Sequence, residues 1–101
     1  MQKVFKFNGV IHIYPVPAGW HFITLPKEVT EDINFYFGHT KRGWGSLPVT
    51  VTIGKTSWRT SIFADTKMET FLLPVKVEIR KKEILKEGDK VKLSLEIRDS
   101  L

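Results

Sequence analysis

Residues 45–65 read Gly-Ser-Leu-Pro-Val-Thr-Val-Thr-Ile-Gly-Lys-Thr-Ser-Trp-Arg-Thr-Ser-Ile-Phe-Ala-Asp. Apolar and polar residues alternate on both sides of Gly54-Lys55, and a two-residue loop with glycine first fits a type II′ β-hairpin. That turn predicts a register: Ile53 opposite Thr56, Val51 opposite Trp58, Val49 opposite Thr60, Leu47 opposite Ile62. One face of the hairpin is then nearly all apolar. The other pairs Thr52 with Ser57, Thr50 with Arg59, Pro48 with Ser61 and Ser46 with Phe63, with Trp44 further out. A slip of one residue would put Trp58 in water and Arg59 in the core, so the pairing is expected to be firm and Trp58 buried.

Period two continues outside the hairpin. Over residues 4–13, Phe5, Phe7, Gly9, Ile11 and Ile13 share one face and Lys6, Asn8 and His12 the other, the pattern of a half-buried strand. Pro15, Pro17 and Gly19 end it, and a second strand is expected over Trp20–Leu25. Pro26 then opens a helical stretch, with Thr30 before Glu31 and Asp32 as an alternative start. Val29, Ile33 and Phe37 make its apolar stripe, and Gly38 is a natural C-cap. Further on come a strand at Thr70–Leu73, a turn at Gly88-Asp89 and a strand at Lys90–Ile97 with Val91, Leu93, Leu95 and Ile97 inward. Val75, Val77 and Ile79 alternate like a strand, whereas Pro74 and the Lys/Arg/Glu run after them suggest a short helix. Both readings of residues 75–83 stand at this level.

A faint repeat runs through the chain. Ile-Thr-Leu-Pro-Lys-Glu-Val at 23–29 matches Phe-Leu-Leu-Pro-Val-Lys-Val at 71–77, an offset of 48. Val-Thr-Val-Thr-Ile at 49–53 matches Leu-Ser-Leu-Glu-Ile at 93–97, an offset of 44. Each copy would be strand, Leu-Pro, short helix, glycine turn, strand. Two such units closing on each other predict a mainly β fold: a small closed pseudo-symmetric barrel of about six or seven strands with one or two short helices. At 101 residues this is one domain, 1–101, able to bury about two-thirds of its surface.

Several of these strings together resemble one small family. They are Trp20–Pro26, Gly43-Trp-Gly-Ser46, Ile53–Phe63, Leu72–Lys76, Arg80-Lys-Lys-Glu83 and Gly88-Asp89. The family is an uncharacterised bacterial domain of unknown function, found alone or fused to a YdeI/OmpD-associated, bacteriocin-protection type segment, which is not seen here before Leu101. The resemblance implies a double-split β-barrel similar to that of the AbrB and MazE DNA-binding proteins. The run from Leu73-Pro74 through Arg80 to Gly88-Asp89 also looks like the AbrB-type pattern. It implies no activity. AbrB-type proteins build their barrel from two chains, whereas one chain here holds both halves.

Chemistry is sparsely signalled. The absence of cysteine excludes disulfides, thiolate metal sites and thiol nucleophiles. No apolar run is long enough to span a membrane, and residues 1–10 hold no signal-peptide core, so a cytoplasmic protein without a membrane partner is expected. Gly54-Lys55-Thr56 resembles the end of a phosphate loop, but Val49 stands where its first glycine belongs. His12, His21 and His39 lack ligand spacing, so no metal and no cofactor is expected. Ser57 or Ser61 with His39 and Asp65 could be imagined as a triad, but no nucleophile elbow exists. An enzyme is therefore not expected. Net charge is +5, from 16 lysines and arginines against 11 acids, spread along the chain. Lysine outnumbers arginine, which suits a soluble surface better than base reading.

Two binding faces remain. Trp44, Arg59, Ser61 and Phe63 place aromatics beside a cation and hydroxyls on the polar hairpin face, suited to a small or anionic ligand or a peptide. The bland alternative is a solvated threonine-rich face whose end the 27–37 helix covers. Lys76, Arg80, Lys81 and Lys82 form a basic group suited to weak nucleic-acid binding, or simply to water. A monomer or weak dimer is expected.

Overall fold

A computed structural model of the chain describes residues 3–14, 19–37, 45–65, 67 and 69–98. The strands are β1 (Val4–Tyr14), β2 (Trp20–Thr24), β3 (Ser46–Ile53), β4 (Thr56–Asp65), β5 (Thr70–Pro74) and β6 (Lys90–Ile97). Helix α1 (Lys27–Phe37) joins β2 to β3, and α2 (Val77–Glu83) lies between β5 and β6. The six strands close into one antiparallel barrel in the order β1-β2-β5-β4-β3-β6.

The β3–β4 hairpin has the predicted register at all eight pairs, from Ile53↔Thr56 to Ser46↔Phe63. Gly54 has φ 58, whereas Lys55 is absent from the positive-φ residues, as a II′ turn requires. A Cβ on Gly54 would also run into the Glu83 carboxylate, which accepts a 2.6 Å hydrogen bond from Thr56 Oγ1. So α2 seals this turn, and a β-branched residue there would meet both the positive φ and the Glu83 carboxylate.

The repeat is structural. Thr24 and Leu72, equivalent by the offset of 48, face each other in the β2–β5 ladder. Val51 and Leu95, equivalent by the offset of 44, face each other in the β3–β6 ladder. A pseudo-two-fold axis therefore passes through both pairs. It carries Ile11↔Ile23 onto Ala64↔Phe71, and Phe5↔Leu95 onto Trp58↔Val51. Even isolated bonds obey it: Ile11 N–H to Asp89 O at 3.0 Å corresponds to Ala64 N–H to Gly45 O at 3.1 Å.

The barrel interior is filled by Ile11, Ile23, Leu47, Val49, Val51, Ile62, Leu73 and Leu95, all fully buried. Each such side chain contributes about 1.5–3 kcal/mol relative to exposure. Gly9 faces this core because a Cβ there would collide with Ile23. Ile33 and Phe37 of α1 and Ile79 of α2 join the same core, with Val29 and Leu85 packed against it.

One expectation is corrected and one of two alternatives falls away. Trp58 has the predicted partner but is only half-buried, packed against the core with its Nε1 enclosed and unpartnered. The helix does not start at Thr30: Pro26 O already accepts the Thr30 N–H, and Thr30 is buried inside α1. α2 approaches the hairpin at its turn, through Thr56 and Glu83, while Thr30 and Asn34 of α1 stand beside Ala64 and Asp65 at the far end of β4. Gly38 lies outside the described residues.

Residues 77–83 are helix rather than strand. Val75 N–H still bonds His21 O at 2.9 Å, extending the β2–β5 ladder, but β2 begins at Trp20, opposite Lys76, so from Val77 onward the strand has no β2 partner. Beyond that point the backbone must satisfy itself, and Arg, Lys and Glu are good helix formers.

Candidate functional site

β2 and β5 run antiparallel, so the start of β2 lies beside the entry to α2. There Trp20, His21, Phe63, Lys76, Val77 and Arg80 line an open groove of about 580 Å³. Its apolar members are unusually exposed: Trp20 by 54%, Phe63 by 43% and Val77 by 47%. The Trp20 indole is held by stacking on Phe22, with centroids 6.0 Å apart and planes at 25°.

The cations of the groove are of two kinds. Arg80 is half-buried and fixed: its Nε donates to Val75 O at 3.1 Å and its Nη1 to His21 Nε2 at 3.3 Å. The other ring nitrogen, Nδ1, lies 2.7 Å from Gly19 O. A guanidinium only donates and a carbonyl only accepts, so these contacts require the Nδ1–H tautomer of His21. Lys76 is exposed and lies between β5 and α2, extended at the N-cap of α2, with no side-chain capping bond. One fixed cation and one exposed cation thus flank three exposed apolar side chains, with the exposed Glu78 as the one acid among the described lining residues.

The anticipated sites are regrouped by the fold. Phe63, from the hairpin face, and Lys76 and Arg80, from the basic group, meet in this groove. Arg59 and Ser61 share the outward face of β4 with Phe63 but do not line it; Arg59 is exposed opposite Thr50. Trp44 lies outside the described residues, as does His39. On α2, residues advance about 100° each, so Lys82 points roughly 160° away from Arg80 and Lys81 lies between. The four cations therefore do not form one patch.

The other candidate chemistries find ordinary partners. Ser57 Oγ and Thr52 Oγ1 are 2.7 Å apart, a cross-strand pair. His12 Nε2 lies 2.8 Å from Thr24 Oγ1. Gly54-Lys55-Thr56 is a hairpin turn, not a strand-to-helix loop. Among the described residues no helix is long and apolar enough to cross a membrane.

Sequence reasoning missed Trp20, His21 and Val77. The signal was present in the repeat: an antiparallel pairing centred on Thr24 and Leu72 sets His21 against Val75 and so brings Trp20 to Lys76.

Among curated proteins, no sequence matches this chain. The family model described as "Domain of unknown function (DUF1905)" matches residues 7–95, from within β1 to within β6, and the chain belongs to that family.

Proposed function

We propose that the protein is a non-enzymatic binding module whose groove between β2, β4 and α2 takes a ligand with an apolar or aromatic body and an anionic group: a small acid or a peptide. The observation that carries this reading is the meeting of Trp20, Phe63 and Val77, all exposed, with Lys76 and Arg80 in one groove. Its volume of about 580 Å³ lies within the usual ligand range of roughly 300–1,000 Å³. Apolar side chains left in water beside preset donors are the composition of a recognition surface.

Thermal shift against aromatic carboxylates, nucleotides and short peptides tests it, since a ligand of the native state raises the melting temperature. Trp20→Ala, Phe63→Ala and Lys76→Ala are expected to remove the shift with little change in intrinsic stability. Arg59→Ala and Ser61→Ala are expected to leave it, and loss of binding in those two alone would move the site to the β4 face. Weak nucleic-acid binding through Lys81 and Lys82 is the runner-up. It predicts salt-sensitive, sequence-independent retention of duplex DNA that falls with Lys81→Ala and Lys82→Ala.

A further inference from the structure

The two helices are counterparts across the pseudo-two-fold, yet their charges are opposite. Residues 27–37 carry three acids and one cation, whereas residues 76–87 carry five cations and three acids. On α1, the buried Thr30, Ile33 and Phe37 define the inner side. At about 100° per residue, Phe35 falls opposite them, between Glu28, Glu31 and Asp32. It is 80% exposed and stands edge-on to Tyr36, with centroids 5.0 Å apart. An outward phenylalanine in a ring of acids contributes nothing to the core of its own chain.

The end of α2 presents the complement. Val77, Ile84 and Leu85 form an open apolar cleft of about 450 Å³, with Lys81 and Lys86 on its rim. Leu85 N–H bonds Arg80 O at 2.8 Å and Ile84 N–H reaches Lys81 O at 3.4 Å, the bond pattern of a Schellman cap. The left-handed residue of that cap is usually glycine. Here it is Ile84, at φ 55 and ψ 57 and 88% exposed. A β-branched residue is strained in this region. Strain that holds an apolar side chain out in water points to a contact that uses it.

We propose that the α2 cleft binds the α1 face of a second copy of this chain. Phe35 enters between Val77, Ile84 and Leu85, while Glu28, Glu31 and Asp32 face Lys81 and Lys86. The contact joins unlike faces, so each copy offers one donor face and one acceptor cleft. Its electrostatic part is exposed and therefore screened by salt.

Sedimentation velocity over roughly 10 μM to 1 mM, the range of weak association, reads this directly. The wild-type chain is expected to self-associate at low salt and to dissociate at high salt. Phe35→Ala, Glu31→Lys, Lys81→Glu and Ile84→Gly are each expected to weaken association by about ten-fold or more. Ile84→Gly suits the cap geometry, so its loss of association cannot be ascribed to unfolding. Mixing the Glu31→Lys chain with the Lys81→Glu chain restores association, because the intact acidic face of one meets the intact cleft of the other. A wild-type monomer throughout this range at low salt overturns the proposal. So does association that survives Phe35→Ala and Ile84→Gly, or a mixture no better than either variant alone.

Discussion

Replacing Ile84 by glycine is expected to stabilise the monomer. The isoleucine sits at φ 55 and ψ 57, where a side chain with a Cβ costs roughly 1–2 kcal/mol. Removing the side chain forfeits little burial, since 88% of the residue is already in water. Against about 1.5–3 kcal/mol for a fully buried isoleucine, the buried remnant is worth roughly 0.2–0.4 kcal/mol. Glycine also makes the unfolded chain more flexible, which costs about 0.5–1 kcal/mol. The net gain is about 0.5 kcal/mol, with an upper bound of about 1.3 kcal/mol. For a domain of this size a gain of about 0.5 kcal/mol raises the melting temperature by roughly 2–4 °C. Calorimetry and urea titration on dilute protein read it, with an unchanged urea slope as the sign that compactness is unaltered. A variant that melts at or below the wild type would refute the reasoning, because Ile84 would then hold the monomer together.

Three further substitutions test the fold. Gly9→Ala drives a methyl into Ile23 and is expected to cost about 1–3 kcal/mol by urea titration; a neutral result would contradict the tight crossing of β1 and β2. Gly54→Val meets both the positive φ and Glu83, and is expected to lose about 2 kcal/mol or more by thermal melting. Thr30 is 3% exposed and its hydroxyl has no partner among the described residues, so Thr30→Val is expected to be neutral or to stabilise by about 1 kcal/mol. A loss beyond about 1 kcal/mol in calorimetry would show that the hydroxyl is in use.

What was readable in the sequence followed from short-range chemistry. Gly54 has one turn available to it, and period two on either side then leaves a single register that buries Val49, Val51 and Ile62. The Leu-Pro repeat indicated a two-fold closure, and the ladders place its axis between Thr24 and Leu72 and between Val51 and Leu95. Val75, Val77 and Ile79 were ambiguous because the deciding fact is distant: β2 runs out of partners at Trp20. Trp58 looked buried because its register is inward, but the pattern does not reveal how fully its side chain is enclosed. The groove was illegible for a similar reason. Its side chains come from β2, β4 and α2, and Arg80 looked like a free cation until His21 and Val75 O were found beside it.

The groove is tested most directly by an amide-correlation NMR titration of isotope-labelled protein with N-acetylphenylalanine, which carries one aromatic ring and one carboxylate. Shifts are expected to saturate, to cluster at residues 19–22, 60–63 and 74–80, and to vanish in Trp20→Ala. Shifts confined to the outward face of β4, scattered over the surface, or absent at millimolar ligand would contradict it.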